Sequence, residues 1–207
     1  MKKTQPPSFH YHDLNITLDT HVYNPAEDTF LLLKTIQYIP QDLILEIGTG
    51  CGIISLVCSY NGATVIATDI NPYALILTQE NIKHNQQILQ GEIHLVRGSL
   101  FTMIQPDVLF DKIIFNPPYL PTTTKEKLPG WINMAFDGGK TGTMVIDEFL
   151  QYLCQHLNPT GKAYFVGSSL QKKCHFWETL QKIPLTCRVI NKQTIGDETI
   201  QVYQIAH

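Results

Sequence analysis

The sequence predicts an α/β fold in which a mostly parallel sheet carries helices on both faces. Short apolar runs typical of buried strands alternate along the chain with segments of helical periodicity, as β-α-β units require. The last two apolar runs are separated only by a tight turn at Gly196 and Asp197, which favours an antiparallel hairpin. No repeat, low-complexity tract or linker interrupts the 207 residues, so residues 1–207 are predicted to form a single domain.

The elements can be placed in order along this domain. Residues 1–24 are a short N-terminal arm, whose loose alternation from residue 9 predicts an extended segment or a hairpin. The core, residues 25–207, opens with a helix over 25–39 that has acids in its first turn and is ended by Pro40. Strands are predicted at 43–48, 64–69, 92–98, 110–116, 162–169, 185–191 and 197–206. Helices are predicted between them at 51–60, 72–86, 142–157 and 171–182. In such a doubly wound sheet, ligands bind at the carboxyl ends of the strands.

Composition restricts the class of protein. Hydrophobic residues make up 43% of the chain and charged residues 16%, which is typical of a globular protein and not of a disordered one. No apolar stretch approaches the roughly 20 residues of a membrane span, and the first residues lack the apolar segment of a signal peptide. The five cysteines are odd in number and include no C-x-x-C pair. This argues against a disulfide framework or a zinc site, and it predicts a reducing, cytoplasmic location.

The charge balance argues against nucleic acid as the substrate. The formal net charge is −3, and the only arginines are Arg97 and Arg188. Proteins that bind naked nucleic acid usually carry a basic surface, because phosphate contacts supply much of the affinity. A local basic patch around Lys125, Lys127 and Lys140 is the alternative. A protein or small-molecule substrate is therefore favoured.

The stretch LEIGTGCGIIS is a glycine-rich turn between a strand and a helix. It contains E-x-G-x-G-x-G, beginning at Glu46, with glycines at 48, 50 and 52. A P-loop is excluded because no Gly-Lys-Ser/Thr follows, and Ile53 breaks the dinucleotide fingerprint. Glycines let a ligand approach the backbone, and the acidic Glu46 suits a cationic ligand better than a pyrophosphate. Taken alone, such a turn could simply reverse the chain.

Two further strand ends carry residues suited to a nucleoside. Asp69 ends the second core strand, and an acid there can accept hydrogen bonds from both hydroxyls of a ribose. The alternative is that Asp69 only caps the helix that begins at Asn71-Pro72. The third strand ends in VRGSLF, where Ser99 and Leu100 could contact an adenine edge. Three such strand ends in order favour a nucleoside site over the structural alternatives.

The fourth strand ends abruptly in IIFNPPYLP. Two consecutive prolines remove two backbone donors and stop the strand. The side-chain oxygen of Asn116 and the carbonyl of Pro117 are two acceptors close together, which can hold both hydrogens of an NH2 group. Tyr119 can stack on a planar group and orient it. A simple turn would account for Pro117 and Pro118 but not for Asn116 and Tyr119.

These motifs resemble those of class I S-adenosylmethionine-dependent methyltransferases that act on amino or amide nitrogen. VYNPAEDTFLLL (22–33) and WINMAFDGGKTGTMVIDEFL (131–150) narrow the resemblance to the small HemK-like glutamine methyltransferases of eukaryotes and archaea. That family modifies the Gly-Gly-Gln loop of class I peptide release factors. The resemblance implies a Rossmann-like fold with a seven-stranded sheet and a C-terminal antiparallel hairpin, S-adenosyl-L-methionine as cofactor and a release factor as substrate. It also implies a small zinc-binding activator protein at the sheet edge.

The resemblance further implies roles for individual residues. Those expected to bind the cofactor are Tyr23, Thr29, Glu46, Gly48, Gly50, Asp69, Ile70, Ser99, Leu100 and Asn116. Those expected to be catalytic are Asn116, Pro117, Pro118 and Tyr119. Those expected to bind the substrate are Asn116, Pro117, Tyr119, Gly138 and Gly139, with Gly142 in the same loop over the entrance. No metal site is implied.

Three positions depart from the family pattern. Ser99 stands where the family usually has aspartate, and a neutral hydrogen bond is weaker than a charge-assisted one, so either the cofactor affinity is weaker or Asp107 or another acid compensates. Thr143 stands where relatives often have arginine, which puts a contact of the substrate loop in doubt. Asp137 stands where a small residue is common.

The expected reaction is in-line methyl transfer to an amide nitrogen, driven by placement and by the acceptors of Asn116 and Pro117. The motifs contain no clear general base, and His10, His12 and His21 fit packing of the arm better than catalysis. One alternative is an amino methyltransferase acting on DNA or RNA, because NPPY also serves exocyclic amines. A cofactor-binding scaffold without turnover is a second alternative.

Two segments of the sequence could contact the expected activator protein. Residues 92–98 are predicted to form an edge strand, which could pair with a partner. The stretch YALILTQ, residues 73–79, carries more apolar residues than one buried helix face needs. A broad core-facing helix is an equally good interpretation of that stretch.

Overall fold

The computed structural model describes residues 6–123, 126–171, 178, 180–181 and 184–207. The strands of this part of the chain are β1 (Ser8–Tyr11), β2 (Leu14–Thr17), β3 (Leu43–Ile47), β4 (Thr64–Asp69), β5 (Ile93–Arg97), β6 (Phe110–Phe115), β7 (Leu157–Ser168), β8 (Thr186–Ile195) and β9 (Glu198–Ala206). The helices are α1 (Glu27–Thr35), α2 (Ile53–Tyr60), α3 (Pro72–Asn85) and α4 (Met144–His156), with a 3₁₀ helix at Trp131–Ala135.

Seven strands form one sheet in the order β5-β4-β3-β6-β7-β9-β8. Strands β5, β4, β3, β6 and β7 are parallel, whereas β9 runs antiparallel to both β7 and β8. The predicted mostly parallel sheet with a C-terminal hairpin is therefore confirmed. The first strand of this sheet along the chain is β3. The chain then adds β4 and β5 on one side of β3 and crosses to the other side with β6 and β7, so the switch point lies between β3 and β6. Open α/β sheets bind their ligands at this point.

Helices cover the two faces of the sheet because its central strands are apolar on both. Ile44 and Ile114 belong to the cluster that contains buried residues of α1, α2 and α3. Their neighbours Leu45 and Ile113 belong to the cluster that contains the buried residues of α4. Successive strand residues point to opposite faces, so a continuous apolar run buries both sides of the sheet.

Helix α1 ends earlier than predicted. It stops at Thr35, and Ile36 already has extended backbone angles (φ −67°, ψ 132°), well before Pro40. The hydroxyl of Tyr38 donates to the carbonyl of Leu33 at 2.6 Å, which satisfies an acceptor of the last turn. Pro40 therefore follows the helix and does not terminate it.

Other boundaries also differ from those predicted. Helix α2 begins at Ile53 and not at residue 51, because Gly52 lies in the left-handed region with φ at 84°. Strand β7 begins at Leu157, which already pairs with Phe110 across an irregularity in the register. Most of the helix predicted at 171–182 lies outside the described residues.

The N-terminal arm is the predicted hairpin, formed by β1 and β2. Two asparagines on α3 hold it in place. Asn81 accepts from the backbone N–H of Thr17 at 2.9 Å and donates to its carbonyl at 3.0 Å. Asn85 binds the backbone of Asn15 in the same way, at 2.8 and 2.9 Å. Asn81 also donates to the carbonyl of Cys51 at 2.8 Å, so one buried amide ties the arm to the glycine-rich turn.

Candidate active site

A cleft of about 290 Å³ opens at the carboxyl ends of the central strands, around the switch point between β3 and β6. Most of the residues predicted to form a site line it. These are Tyr23, Thr29, Glu46, Gly48, Gly50, Asp69, Ile70, Ser99, Leu100, Asn116, Pro117 and Pro118. Short motifs far apart in the sequence are thus brought together by the parallel sheet, which ends all its central strands at one edge.

Glu46 lies at the base of this cleft with 1% of its surface exposed. Its Oε2 accepts hydrogen bonds from the hydroxyls of Thr49 and Ser55. Its Oε1 has no hydrogen-bond partner within the described part of the chain. Burial raises the pKa of the carboxyl to about 7, although the two hydroxyls oppose the shift. A cationic ligand at Oε1 would supply the missing partner and favour the ionised form.

The glycine-rich turn leaves space for a ligand beside Glu46. Gly48 and Gly50 adopt φ values of 71° and 59°, in the left-handed region that favours glycine. A Cβ on Gly52 would lie 2.6 Å from the Cγ2 of Thr78 on α3, so a side chain there would push the helix away. The turn is therefore shaped by its glycines and packed tightly on α3.

Asp69 organises the neighbouring turn. Its Oδ2 accepts from the N–H of Gly50 at 3.0 Å and its Oδ1 from the N–H of Asn71 at 2.8 Å. The cap of α3 is Asn71, whose side chain accepts from the N–H of Tyr73 at 3.0 Å. Asp69 therefore joins two turns of the cleft wall and does not simply cap the helix. Each carboxylate oxygen has a further lone pair that can accept a ligand hydroxyl.

The turn that follows β5 is strained. Leu100 has φ at 47°, which is unusual for a residue with a side chain. The hydroxyl of Thr102 donates to the carbonyl of Ser99 at 2.8 Å and so closes the turn. Asp107 is exposed and is not among the residues that line the cleft, whereas Glu148 on α4 does line it. If an acid compensates for Ser99, the geometry therefore favours Glu148.

Asn116 presents its side-chain oxygen without a partner. Its Nδ2 donates to the Oδ2 of Asp28 at 3.1 Å and to the Oγ1 of Thr29 at 3.2 Å. A carboxylate can only accept, so the nitrogen faces Asp28 and the oxygen must be the other amide atom. That Oδ1 is buried and has no hydrogen-bond partner among the described residues. The cleft wall therefore contains an acceptor that a ligand N–H can satisfy.

Asp28 is a residue of the cleft wall that the sequence motifs did not single out. It is 3% exposed and lines the cleft. Besides Asn116, the hydroxyls of Tyr23 and Tyr119 each donate to its carboxylate at 3.1 Å. Burial, followed by the charge of Asp28, raises the pKa of both phenols, which stay protonated donors. The sequence showed only an acid in the first turn of a helix, 88 positions from Asn116.

Three predicted residues lie outside the wall of the cleft. Tyr119 packs behind it with its hydroxyl on Asp28, and Gly138 and Gly139 lie in the segment between two groups of lining residues. The arm histidines are also elsewhere. His21 binds Asp19 at 2.9 Å and stacks on a tyrosine of α3. No histidine lines the cleft in the part of the chain that the structure describes.

Comparison with known proteins identifies the class. Residues 25–129 match the family model described as methyltransferase small domain, and the fold is that of class I methyltransferases. Within the described residues, none of the helices has both the length and the apolar character that crossing a bilayer requires.

Relatives narrow the class to a family. A putative protein N5-glutamine methyltransferase of Methanocaldococcus jannaschii is 40% identical over 85% of this chain and 86% of its own length. The human methyltransferase HEMK2 is 37% identical over 87% of each chain. The chain therefore belongs to the HemK-like methyltransferases.

A solved structure shares this fold. It is the E. cuniculi Mtq2–Trm112 complex, which is responsible for methylation of the translation termination factor eRF1. The matched chain has a TM-score of 0.68 and 25% identity, and the match covers 90% of the present chain and 99% of that chain.

Proposed function

We propose that this chain uses S-adenosyl-L-methionine to methylate the side-chain amide of the glutamine in the Gly-Gly-Gln motif of a class I peptide release factor. The observation that carries the proposal is a pair of buried acceptors without partners in one cleft, Glu46 Oε1 and Asn116 Oδ1. The first suits a cation and the second suits an amide N–H. The relatives support glutamine and a termination factor as the acceptor, since one is a putative protein N5-glutamine methyltransferase and the Mtq2–Trm112 complex is responsible for methylation of eRF1.

The residues of the cleft fit the cofactor. S-adenosylmethionine supplies a methyl group bound to a sulfonium cation. Glu46 offers an unpartnered carboxylate oxygen at the glycine-rich turn, which suits the cationic end. Asp69 has lone pairs for two ribose hydroxyls, and the wall at Ser99 and Leu100 is available to the base.

The acceptor amide would be held by the Asn-Pro-Pro-Tyr turn. Asn116 Oδ1 and the carbonyl of Pro117 accept its two N–H groups, and Asp28 keeps the Asn116 amide from rotating. Fixed acceptors orient the nitrogen and stabilise the positive charge that develops on it as the methyl group arrives. The methylated nitrogen then releases one of its two protons to water, so no side chain has to act as a general base. The acidic, hydrogen-bonded Asp28 therefore acts through Asn116 and not on the substrate itself.

Mass spectrometry of a purified release factor tests the proposal. After incubation with cofactor and this chain, we expect a gain of one methyl group on the glutamine of the Gly-Gly-Gln peptide. A release factor with that glutamine replaced by alanine is the matched control and should stay unmodified. Parallel incubation with DNA and RNA tests the alternative acceptor, and methylation of nucleic acid alone would overturn the proposal.

Calorimetry separates an enzyme from a binding scaffold. We expect binding of S-adenosylmethionine and of its demethylated product. Binding of neither would overturn every methyltransferase role, while binding without transfer to any acceptor would support the scaffold.

We further propose that a small zinc-binding activator pairs with the outer edge of β5. This strand is at the end of the sheet, and within the described part of the chain it pairs only with β4. On the adjacent helix, Tyr73 is 42% exposed and Ile76 is 59% exposed, so α3 presents apolar side chains beside the free edge. The solved structure that shares this fold is a complex of two proteins, Mtq2 and Trm112, which supports a protein partner for this chain.

Co-expression tests the activator. We expect this chain to be more soluble and more active when it is co-expressed with the partner than when it is produced alone. The expected location of both proteins is the cytoplasm, where release factors work. A monodisperse and active lone chain would overturn this part of the proposal. A variant with Ile76→Ser should bind the activator more weakly than one with the exposed polar change Glu80→Gln.

A further inference from the structure

The carboxylate of Asp137 accepts hydrogen bonds from several residues that are spread along the chain beside the cleft. Its Oδ1 accepts from the hydroxyl of Thr122 and, at 3.1 Å, from the N–H of Gly139. Its Oδ2 accepts from the ammonium of Lys127 at 2.9 Å and from the amide of Asn133 at 3.2 Å. The side chain is only 11% exposed, so these donors largely replace water. The Thr122 hydroxyl and then the Lys127 ammonium hold its pKa well below the usual range.

The segment that follows Asp137 packs directly on the backbone that follows Asn116. We call residues 137–143 the entrance segment. The N–H of Gly138 donates to the carbonyl of Leu120 at 3.1 Å. A Cβ on Gly138 would lie 2.9 Å from the carbonyl oxygens of Leu120 and Pro118, and one on Gly142 would lie 2.5 Å from that of Tyr119. Glycine alone permits this contact between two stretches of backbone.

The other end of the entrance segment is also fixed. Gln171 donates to the carbonyl of Gly142 at 2.6 Å and accepts from the N–H of Ser168 at the end of β7. The residues on either side of the segment, Ala135 and Met144, line the cleft. A shift of the entrance segment would therefore move both the cleft wall and the backbone around the Asn-Pro-Pro-Tyr turn.

We propose that Asp137 is a positioning residue for the methyl acceptor, which holds the entrance segment against residues 118–122 and thereby fixes the carbonyl of Pro117. The inference rests on the proposed function. Asp137 touches Thr122, directly after the turn that carries Pro117, and Gly139, inside the segment that packs on that turn. One carboxylate thus couples both sides of the contact. This gives a reason for an acid at a position where the family pattern has a small residue.

Three variants test the role. Asp137→Ala removes all four hydrogen bonds, and Asp137→Asn keeps an acceptor for Thr122 and Gly139 while it loses the charge opposite Lys127. Glu126→Gln is the matched control, because Glu126 is an exposed acid whose carboxylate, among the described residues, bonds only Thr123 in the neighbouring turn. Each is compared with the wild-type chain in the presence of activator and release factor.

The kinetic constants should separate an effect on the reaction of the methyl acceptor from an effect on cofactor binding. We expect kcat/KM for the release factor to fall by about 10- to 100-fold in Asp137→Ala, with an intermediate loss in Asp137→Asn. The Kd for S-adenosylmethionine should stay within about twofold, because Asp137 is not in the cleft wall. Glu126→Gln should match the wild type. Equal kcat/KM per folded molecule in Asp137→Ala would overturn the role.

Hydrogen exchange gives a readout that does not require activity. Asp137→Ala should speed exchange at the amides of Gly138 and Gly139, whereas amides in β3 and β6 keep their protection. Unchanged exchange at both glycines would overturn the proposed packing role. A wild-type chain that transfers methyl to no acceptor would instead overturn the proposed function, so the two failures are distinct.

Discussion

The buried carboxyl of Glu46 should make the stability of this protein depend on pH in a way that one substitution removes. Glu46 is fully surrounded by protein, and its pKa is raised from 4.5 to about 7 by burial. The folded state therefore binds a proton more tightly here than the unfolded chain does. Its contribution to stability is complete below about pH 4.5, falls as the pH rises towards 7, and is constant above that value.

The size of the effect follows from the two pKa values. At about 1.4 kcal/mol for each pH unit between them, ionised Glu46 costs the folded state about 3 kcal/mol at pH 8. In the Glu46→Gln variant the side chain has the same shape but cannot ionise, so the folded state should not be destabilised in this way at pH 8. Relative to wild type, the variant should become more stable by about 3 kcal/mol on going from pH 4.5 to pH 8. Its amide can still accept from Thr49 and Ser55.

Urea unfolding at pH 4.5, 6 and 8, followed by circular dichroism, measures this difference. Taking the variant minus the wild type cancels the titration of all other groups that the substitution leaves unchanged. The same variant should bind S-adenosylmethionine more weakly, because it lacks the negative charge opposite the cationic end. A stability difference that does not vary with pH would refute the argument that burial raises this pKa.

Three further substitutions test other contacts. Asn116→Ala should lower methyl transfer by about 100-fold or more while cofactor binding measured by calorimetry stays nearly intact, and a rate above about a tenth of wild type would contradict the role of its Oδ1. Asp28→Ala should destabilise the fold by about 3 kcal/mol or more, because five donors on Tyr23, Thr29, Asn116 and Tyr119 lose their acceptor. It should also lower kcat more than it raises the cofactor Kd, whereas loss of cofactor binding alone would contradict positioning through Asn116. Asn81→Ala should cost about 3 kcal/mol in urea unfolding, because the arm and the glycine-rich turn lose three hydrogen bonds. An unchanged midpoint would show that the arm does not depend on this amide.

Much of the fold could be predicted because its signals are local. Each buried strand is a short apolar run, and the turns after β3 and β6 carry residues with distinctive backbone preferences: Gly52 permits a positive φ, and the ring of Pro117 fixes φ. Where the prediction of a helix boundary failed, contacts just beyond the last helical residue decided it. Helix α1 ends at Thr35 because Ile36 turns extended and Tyr38 closes the last turn, which the position of Pro40 does not indicate.

The sequence by itself determined which residues stand at the carboxyl ends of the central strands, since parallel strands end at one edge and each motif directly follows its strand. Only the tertiary structure decided how those residues are oriented. Asp28 fixes the amide of Asn116 across 88 positions, and Asp137 joins Thr122 to Gly139. These contacts depend on how α1 and the entrance segment pack against the sheet. No local pattern encodes that packing, because the partners meet through space and not along the chain.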